Sequence, residues 1–164
     1  MHIEKKTCPV CGMDAGGSDI IGEHLGIEYH CCSAQCRENF LARPTLYVGR
    51  QAVSLAGKTV IKRRTFLLEH AVEEDMQYQL TDALQQMMGV RDVRVDGREV
   101  SITYDLLEAT AEQLEQAISD TGAALGSGWA ARLKHGWMEY TEENELDNLA
   151  AGEPACCNRP PAKG

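Results

Sequence analysis

Between Glu74 and Met88 the apolar residues Met76, Leu80, Leu84 and Met87 recur at helical spacing, while the stretches on either side alternate with the period of strands. Arg63–Glu69 and Val90–Val95 read as strands flanking that helix. Glu99–Tyr104 reads as the partner of the second strand, across a two-residue turn at Asp96-Gly97. Thr110 is a good N-cap for a helix running to about Asp120, with Leu114 and Ile118 inward and Gly122 ending it. Ala123–Leu125 is available as a short last strand, so the order predicts a ferredoxin-like βαββαβ unit. Beyond it, Trp129 to about Leu149 predicts one more helix with an apolar stripe of Trp129, Leu133, Trp137 and Tyr140. That stripe is either part of the core or a protein-docking surface.

The first part of the chain has a different texture. Cys8 and Cys11 read as a knuckle, Ile20–Glu23 and Gly26–Cys31 as short strands, and Ser33 as the N-cap of a helix ending near Leu41, with Pro44 beyond it. Tyr47 to Lys58 reads as a connection with some strand character. Phe40, Leu41, Tyr29 and Met13 are the expected core of this first part. Such a core is too small to fold without a further cross-link or a metal.

Taken together these elements predict an α+β protein: a small four-cysteine zinc module and a ferredoxin-like unit with an extra C-terminal helix. The expected boundaries are 1–48 for the zinc module, 49–61 for the connection, 62–127 for the ferredoxin-like unit, 128–150 for the last helix and 151–164 for a tail rich in cysteine and proline. At 164 residues, two small units are favoured over one large one. The formal charge of −9, with 25 Asp and Glu against 16 Lys and Arg, argues against a nucleic-acid surface. The basic run Lys62-Arg63-Arg64 lies in a strand-like stretch and reads as a solvated edge. No apolar stretch approaches the roughly 20 residues that span a bilayer, and the N-terminus lacks the apolar core of a signal peptide. A cytosolic location is therefore expected, where cysteines serve as ligands or redox groups more often than as disulfides.

The chemistry is carried by those cysteines. Five of the seven lie in the first 36 residues, as Cys8, Cys11, Cys31, Cys32 and Cys36, and the other two are Cys156 and Cys157. A C-x2-C pair and a second pair some twenty residues later can bring four thiolates to one tetrahedral ion, so Cys8, Cys11, Cys32 and Cys36 are the expected ligands of a structural zinc. Spacing alone does not separate Cys31 from Cys32 as a ligand. Cys31 either fills a small apolar position or is a reactive thiolate beside the metal. In the second case it can join Cys156 and Cys157, on a tail that swings back, as a labile site for a soft cation such as copper(I) or mercury(II).

The run Cys8-Pro9-Val10-Cys11-Gly12-Met13, then Tyr29, Cys32-Ser33-Ala34-Gln35-Cys36, Phe40, Pro44 and Tyr47, resembles the YHS/TRASH-type metal-binding domains over about the first 48 residues. Cys31 departs from that pattern, which usually has an aromatic residue there. The resemblance implies a setting of heavy-metal transport, sensing or resistance. The βαββα order, with Leu84 followed by Gly89-Val90, resembles the heavy-metal-associated domain of copper chaperones and metal-transporting ATPases. Those proteins carry a G-M-x-C-x-x-C loop. Here Glu73 and Met76 stand at the two cysteine positions, with His70 and Ala71 in place of Gly-Met, so the transfer site is missing. Met76 is expected in the core and His70 on the surface.

Three functions follow as expectations. The first is a cytosolic accessory protein that receives, buffers or delivers a soft metal, with a metal transporter or reductase as partner. The second is a non-catalytic adaptor whose zinc site only holds binding surfaces. The third is a thiol or iron-sulfur redox protein, which after zinc would need His24 or His30 to complete a cluster. No nucleophile-base pair, phosphate loop or metal-binding His pair with a neighbouring Glu marks a hydrolytic or transfer enzyme.

Overall fold

The computed structural model describes residues 6–152. Strands β1 (Ile21–His24) and β2 (Ile27–His30) form an antiparallel hairpin with Ile21 opposite His30 and His24 opposite Ile27. Helix α1 (Ala34–Ala42) follows at once, because the Ser33 side chain accepts the Cys36 N–H at 3.2 Å and caps the first turn. A single 3-10 turn, Pro44–Leu46, leads to α2 (Arg50–Leu55).

The expected connection over Tyr47 to Lys58 thus contains a helix and no strand. Leu55 anchors that helix in the main core, whereas the β-branched Val53 is exposed.

The second part is a three-stranded antiparallel sheet of β3 (Ile61–Leu67), β4 (Val90–Asp96) and β5 (Glu99–Asp105) in the order β3-β5-β4, with α3 (Glu74–Gln85) and α4 (Ala111–Asp120) as the crossover helices. The long helix α5 (Trp129–Ala151) comes last. The expected fourth strand is reduced to one antiparallel bridge, Leu68 to Leu125, flanked by Gly126 N–H to Leu67 O at 2.7 Å and Glu69 N–H to Ala124 O at 2.8 Å. Its place beside β3 is the one a ferredoxin-type sheet assigns to its last strand. Asp96 pairs with Glu99, so the tight turn is Gly97-Arg98, one residue later than expected. Phe66, Leu80, Leu84, Val100, Ile102, Tyr104, Leu114 and Ile118 form the centre of the core, each burying its apolar surface between the sheet and the helices. Met76, expected in the core, is half-buried and is not one of the residues packed against that core.

The capping box at Thr110 is complete. Its hydroxyl accepts the Gln113 N–H at 3.4 Å, and the Gln113 side chain accepts the Thr110 N–H at 3.2 Å.

Gly89, between α3 and β4, closely approaches the turn after β5. Its φ is +83°, and a Cβ there would lie 2.7 Å from the Glu108 Cβ and 3.2 Å from the Asp105 carbonyl oxygen. Gly89→Ala is therefore expected to cost about 2–4 kcal/mol, since a left-handed backbone and an overpacked contact add. A urea titration of the variant followed by circular dichroism reads this as a lower midpoint with an unchanged slope.

Helix α5 turns out the opposite way from its apolar stripe. Its inward face is His135, Met138, Glu142 and Leu146, all buried, whereas Leu133, Trp137 and Tyr140 face solvent. Polar partners select this face. The Glu142 carboxylate, 2% exposed, accepts the Tyr104 hydroxyl and the Arg64 Nε–H (3.3 Å) on one oxygen and the Ala111 N–H (2.7 Å) on the other. His135 Nδ1 lies 3.3 Å from the Glu115 carboxylate on α4, and Lys62 reaches Glu145 at 2.5 Å. A buried carboxylate with three donors fixes the helix's rotation more sharply than an apolar stripe does.

Candidate metal centre

Each half of the site is built by short-range backbone geometry. On the first half, Cys8 N–H donates to Met13 O at 2.8 Å and Gly12 N–H donates to Cys8 O at 3.0 Å, closing a knuckle that holds the Cys8 and Cys11 side chains together. Gly12 has φ +76°, a conformation glycine adopts without the Cβ penalty of other residues. A bridge between Thr7 and Asp14 clamps the base of the loop.

The second half comes off the end of the hairpin. Cys31 N–H donates to Ile20 O at 2.8 Å, which continues the β2 register by one residue. Strand alternation then turns Cys31 and Cys32 to opposite sides. The capped first turn of α1 presents Cys36 four residues after Cys32.

The result is a quartet. The sulfur atoms of Cys8, Cys11, Cys32 and Cys36 all lie within 4.8 Å of one another, with Cys11 to Cys32 at 3.3 Å and Cys32 to Cys36 at 3.6 Å. Cys8 and Cys36 are buried, and Cys11 and Cys32 are half-buried. All the described cysteines are free thiols. Among the described residues no second group of His, Cys, Asp or Glu gathers in this way, and neither His24 nor His30 joins the quartet. His30 instead bonds to Lys6 Nζ at 2.7 Å and Ser18 O at 3.1 Å.

Electrostatics favour a cation here. Burial pushes the Cys8 thiol up, but backbone N–H groups of Cys11, Cys32 and Val10 outweigh it and bring it down to about 7. Burial pushes Cys11 up to about 12, with the Cys8 charge adding to the rise, and burial also drives Cys36 well above the ordinary thiol range. Thiolates this close together repel one another. A divalent ion removes the mutual repulsion and makes four thiolates compatible, so the donor set fits zinc.

Of the two readings of Cys31, its burial matches the small apolar position. Its side chain is 0% exposed and packs with Cys8, Ala15, Cys36 and Phe40, and burial, followed by the charges of Cys8 and Cys32, pushes its thiol up to about 11. It therefore occupies the small apolar position. Cys156 and Cys157 lie outside the described residues. Leu41 and Met13, expected in this core, are 41% and 53% exposed, because α1 turns Phe40 inward and the knuckle turns Met13 outward. Phe40 packs on Tyr29 with ring centroids 4.9 Å apart.

The module does not stand alone, which the sequence did not signal. The Gln35 amide donates to Met88 O at 3.0 Å and Glu108 O at 2.9 Å, the Asn39 amide donates to Glu108 O at 2.6 Å, and Gln113 donates to Asn39 Oδ1 at 2.8 Å. Tyr47 adds its hydroxyl to Leu107 O at 2.7 Å. Helix α1 thus carries one sulfur of the quartet and, on neighbouring positions, the side chains that fasten it to the ferredoxin-type region. In that region the loop before α3 offers no metal site: His70 and Glu73 are exposed, and Met76 is half-buried on the helix.

No protein-family model matches the chain, and no curated protein matches it. A solved structure, the crystal structure of oxidized MerP from Ralstonia metallidurans CH34, is similar at 19% identity and a TM-score of 0.38, over 41% of this chain and 96% of that one. A likeness at that level carries no functional argument. What characterises the chain is its own geometry, a four-cysteine cluster able to hold a metal ion and fastened to a ferredoxin-type region.

Proposed function

We propose that this chain is a metal-binding accessory protein that holds one zinc ion structurally on Cys8, Cys11, Cys32 and Cys36 and serves in the handling of a soft metal such as copper(I) or mercury(II). The observation that carries the reading is the convergence of four sulfurs from two separate segments to within 4.8 Å. Four thiols without a cation would contribute little beyond small apolar contacts, and a closed four-thiolate site is the arrangement that structural zinc takes. The zinc would hold the knuckle to α1, and α1 would present the rest of the protein in a fixed orientation. Soft-metal handling belongs to a second thiolate site, for which Cys156 and Cys157 supply donors and a transporter or other protein is the partner.

The adaptor reading is favoured by one specific observation: Cys31 is buried, which removes the third donor expected for that labile site. The two readings separate on titration of zinc-loaded protein with mercury(II) or copper(I) while zinc release and free thiols are measured. Soft-metal handling predicts uptake of about one further ion per chain on the thiols outside the zinc quartet, with the zinc retained. No uptake before zinc is displaced would leave the adaptor reading and overturn the trafficking one.

A further inference from the structure

The outward face of α5 carries large apolar side chains that the four-cysteine site does not use. Leu133, Trp137 and Tyr140 are 62%, 68% and 61% exposed and follow one another at i, i+4 and i+7, so they form a single stripe along the helix. Trp137 and Tyr140 lean on each other with ring centroids 6.5 Å apart. Aromatic side chains grouped in this way on a surface are the residue types that anchor protein interfaces.

Gly136 lies in the same stripe. It sits inside the helix, and a Cβ built on it would meet nothing within 4 Å. A glycine inside a helix costs about 1 kcal/mol relative to alanine. Among the described residues nothing packs against the position to account for that cost. A flat step beside a large indole is what a second helix needs in order to approach closely.

Charge along α5 selects the occupant. Its first half carries the exposed bases Arg132 and Lys134, and the part beyond Trp137 carries the exposed acids Glu139 and Glu143. Arg132 and Glu143 lie on the same flank of the stripe, eleven residues apart. Glu143 is 68% exposed and has only a 4.0 Å approach from Arg43, whose close partner is Asp147 at 2.7 Å. A second copy of the helix laid antiparallel, with the two-fold axis beside Trp137, brings Arg132 of each chain level with Glu143 of the other. The parallel arrangement would stack base on base and acid on acid.

We infer that the chain forms an antiparallel homodimer through the Leu133, Gly136, Trp137 and Tyr140 face of α5, with Arg132 and Glu143 pairing across it at both ends. The inference does not rest on the metal site.

Sedimentation velocity of the full chain over a micromolar concentration series tests it. The wild-type protein is expected to shift with concentration from its chain mass of 18.0 kDa to twice that mass. Trp137→Glu is expected to stay monomeric with an unchanged circular-dichroism spectrum. Arg132→Glu and Glu143→Arg are each expected to weaken the dimer about tenfold, and the double variant to recover it, as charge complementarity across an interface requires. A wild-type chain that stays monomeric throughout the series would overturn the inference, as would a dimer that survives Trp137→Glu. A double variant no stronger than the singles would overturn the antiparallel pairing.

Discussion

Cys36→Ser is expected to empty the metal site and unfold the N-terminal segment while leaving the ferredoxin-type region folded. Cys36 is fully buried, and its sulfur is one corner of the quartet. A serine hydroxyl is not a thiolate donor, and structural zinc sites supply about 10–16 kcal/mol of folding free energy at neutral pH. The apolar cluster left behind has Phe40 as its only large fully buried side chain, with Cys8, Ala15, Cys31 and Cys36 around it, which is too little to fold a segment of this size. Zinc content should fall from about one ion per chain to near zero, and limited proteolysis should open the segment up to Tyr47 first. Cys31→Ser is the matched control. It removes a buried thiol that lies outside the quartet, so the metal should stay, with a loss of stability of about 1–3 kcal/mol from the buried hydroxyl. Loss of zinc in Cys31→Ser with retention in Cys32→Ser would exchange the roles of those two residues.

The second large effect is expected at Glu142 on α5. Removing this carboxylate as Glu142→Ala strands the Ala111 N–H at the start of α4, the Tyr104 hydroxyl and the Arg64 guanidinium around a buried hole. Breaking a buried charge pair from one side costs about 3–5 kcal/mol. For a chain of this size that lowers the melting temperature by about 10 °C. Glu142→Gln keeps the shape and one acceptor and should lose less than half as much. Tyr104→Phe removes one donor and should lose about 1–2 kcal/mol. A thermal melt of the three variants side by side checks the order. Equal melts for Glu142→Ala and wild type would show that α5 is not held by this carboxylate.

What could be read along the chain were the features decided by neighbouring residues. The Ser33 and Thr110 caps, the two short strands that became β1 and β2, and the helical repeat of Leu80 and Leu84 each depend on a few adjacent positions, and the structure has all of them. The choice between Cys31 and Cys32 depended on hairpin register, which spacing does not carry. The four-sulfur group contains Cys32 and not Cys31, whose N–H continues the hairpin by bonding to Ile20 O.

The orientation of α5 was hidden for the opposite reason. Its most apolar stripe suggested an inward face, but the helix docks through Glu142 and His135, whose partners Tyr104, Ala111, Arg64 and Glu115 are scattered between positions 64 and 115. Helix α2 was illegible because its six residues, Arg50–Leu55, make fewer than two turns and show no apolar repeat, while its anchor Leu55 packs into a core built from distant residues. The fastening of α1 by Gln35 and Asn39 was equally illegible, since amide side chains on a helix give no sign of which distant carbonyls they will meet.

The proposed function depends on one metal ion being held by Cys8, Cys11, Cys32 and Cys36. Native mass spectrometry of the full chain purified without added metal, followed by alkylation and mapping of the modified cysteines, tests it directly. The account predicts one zinc per chain, with Cys8, Cys11, Cys32 and Cys36 protected until a chelator removes the metal. A metal-free protein of intact fold whose Cys11 and Cys32 alkylate at the rate of free thiols would contradict it.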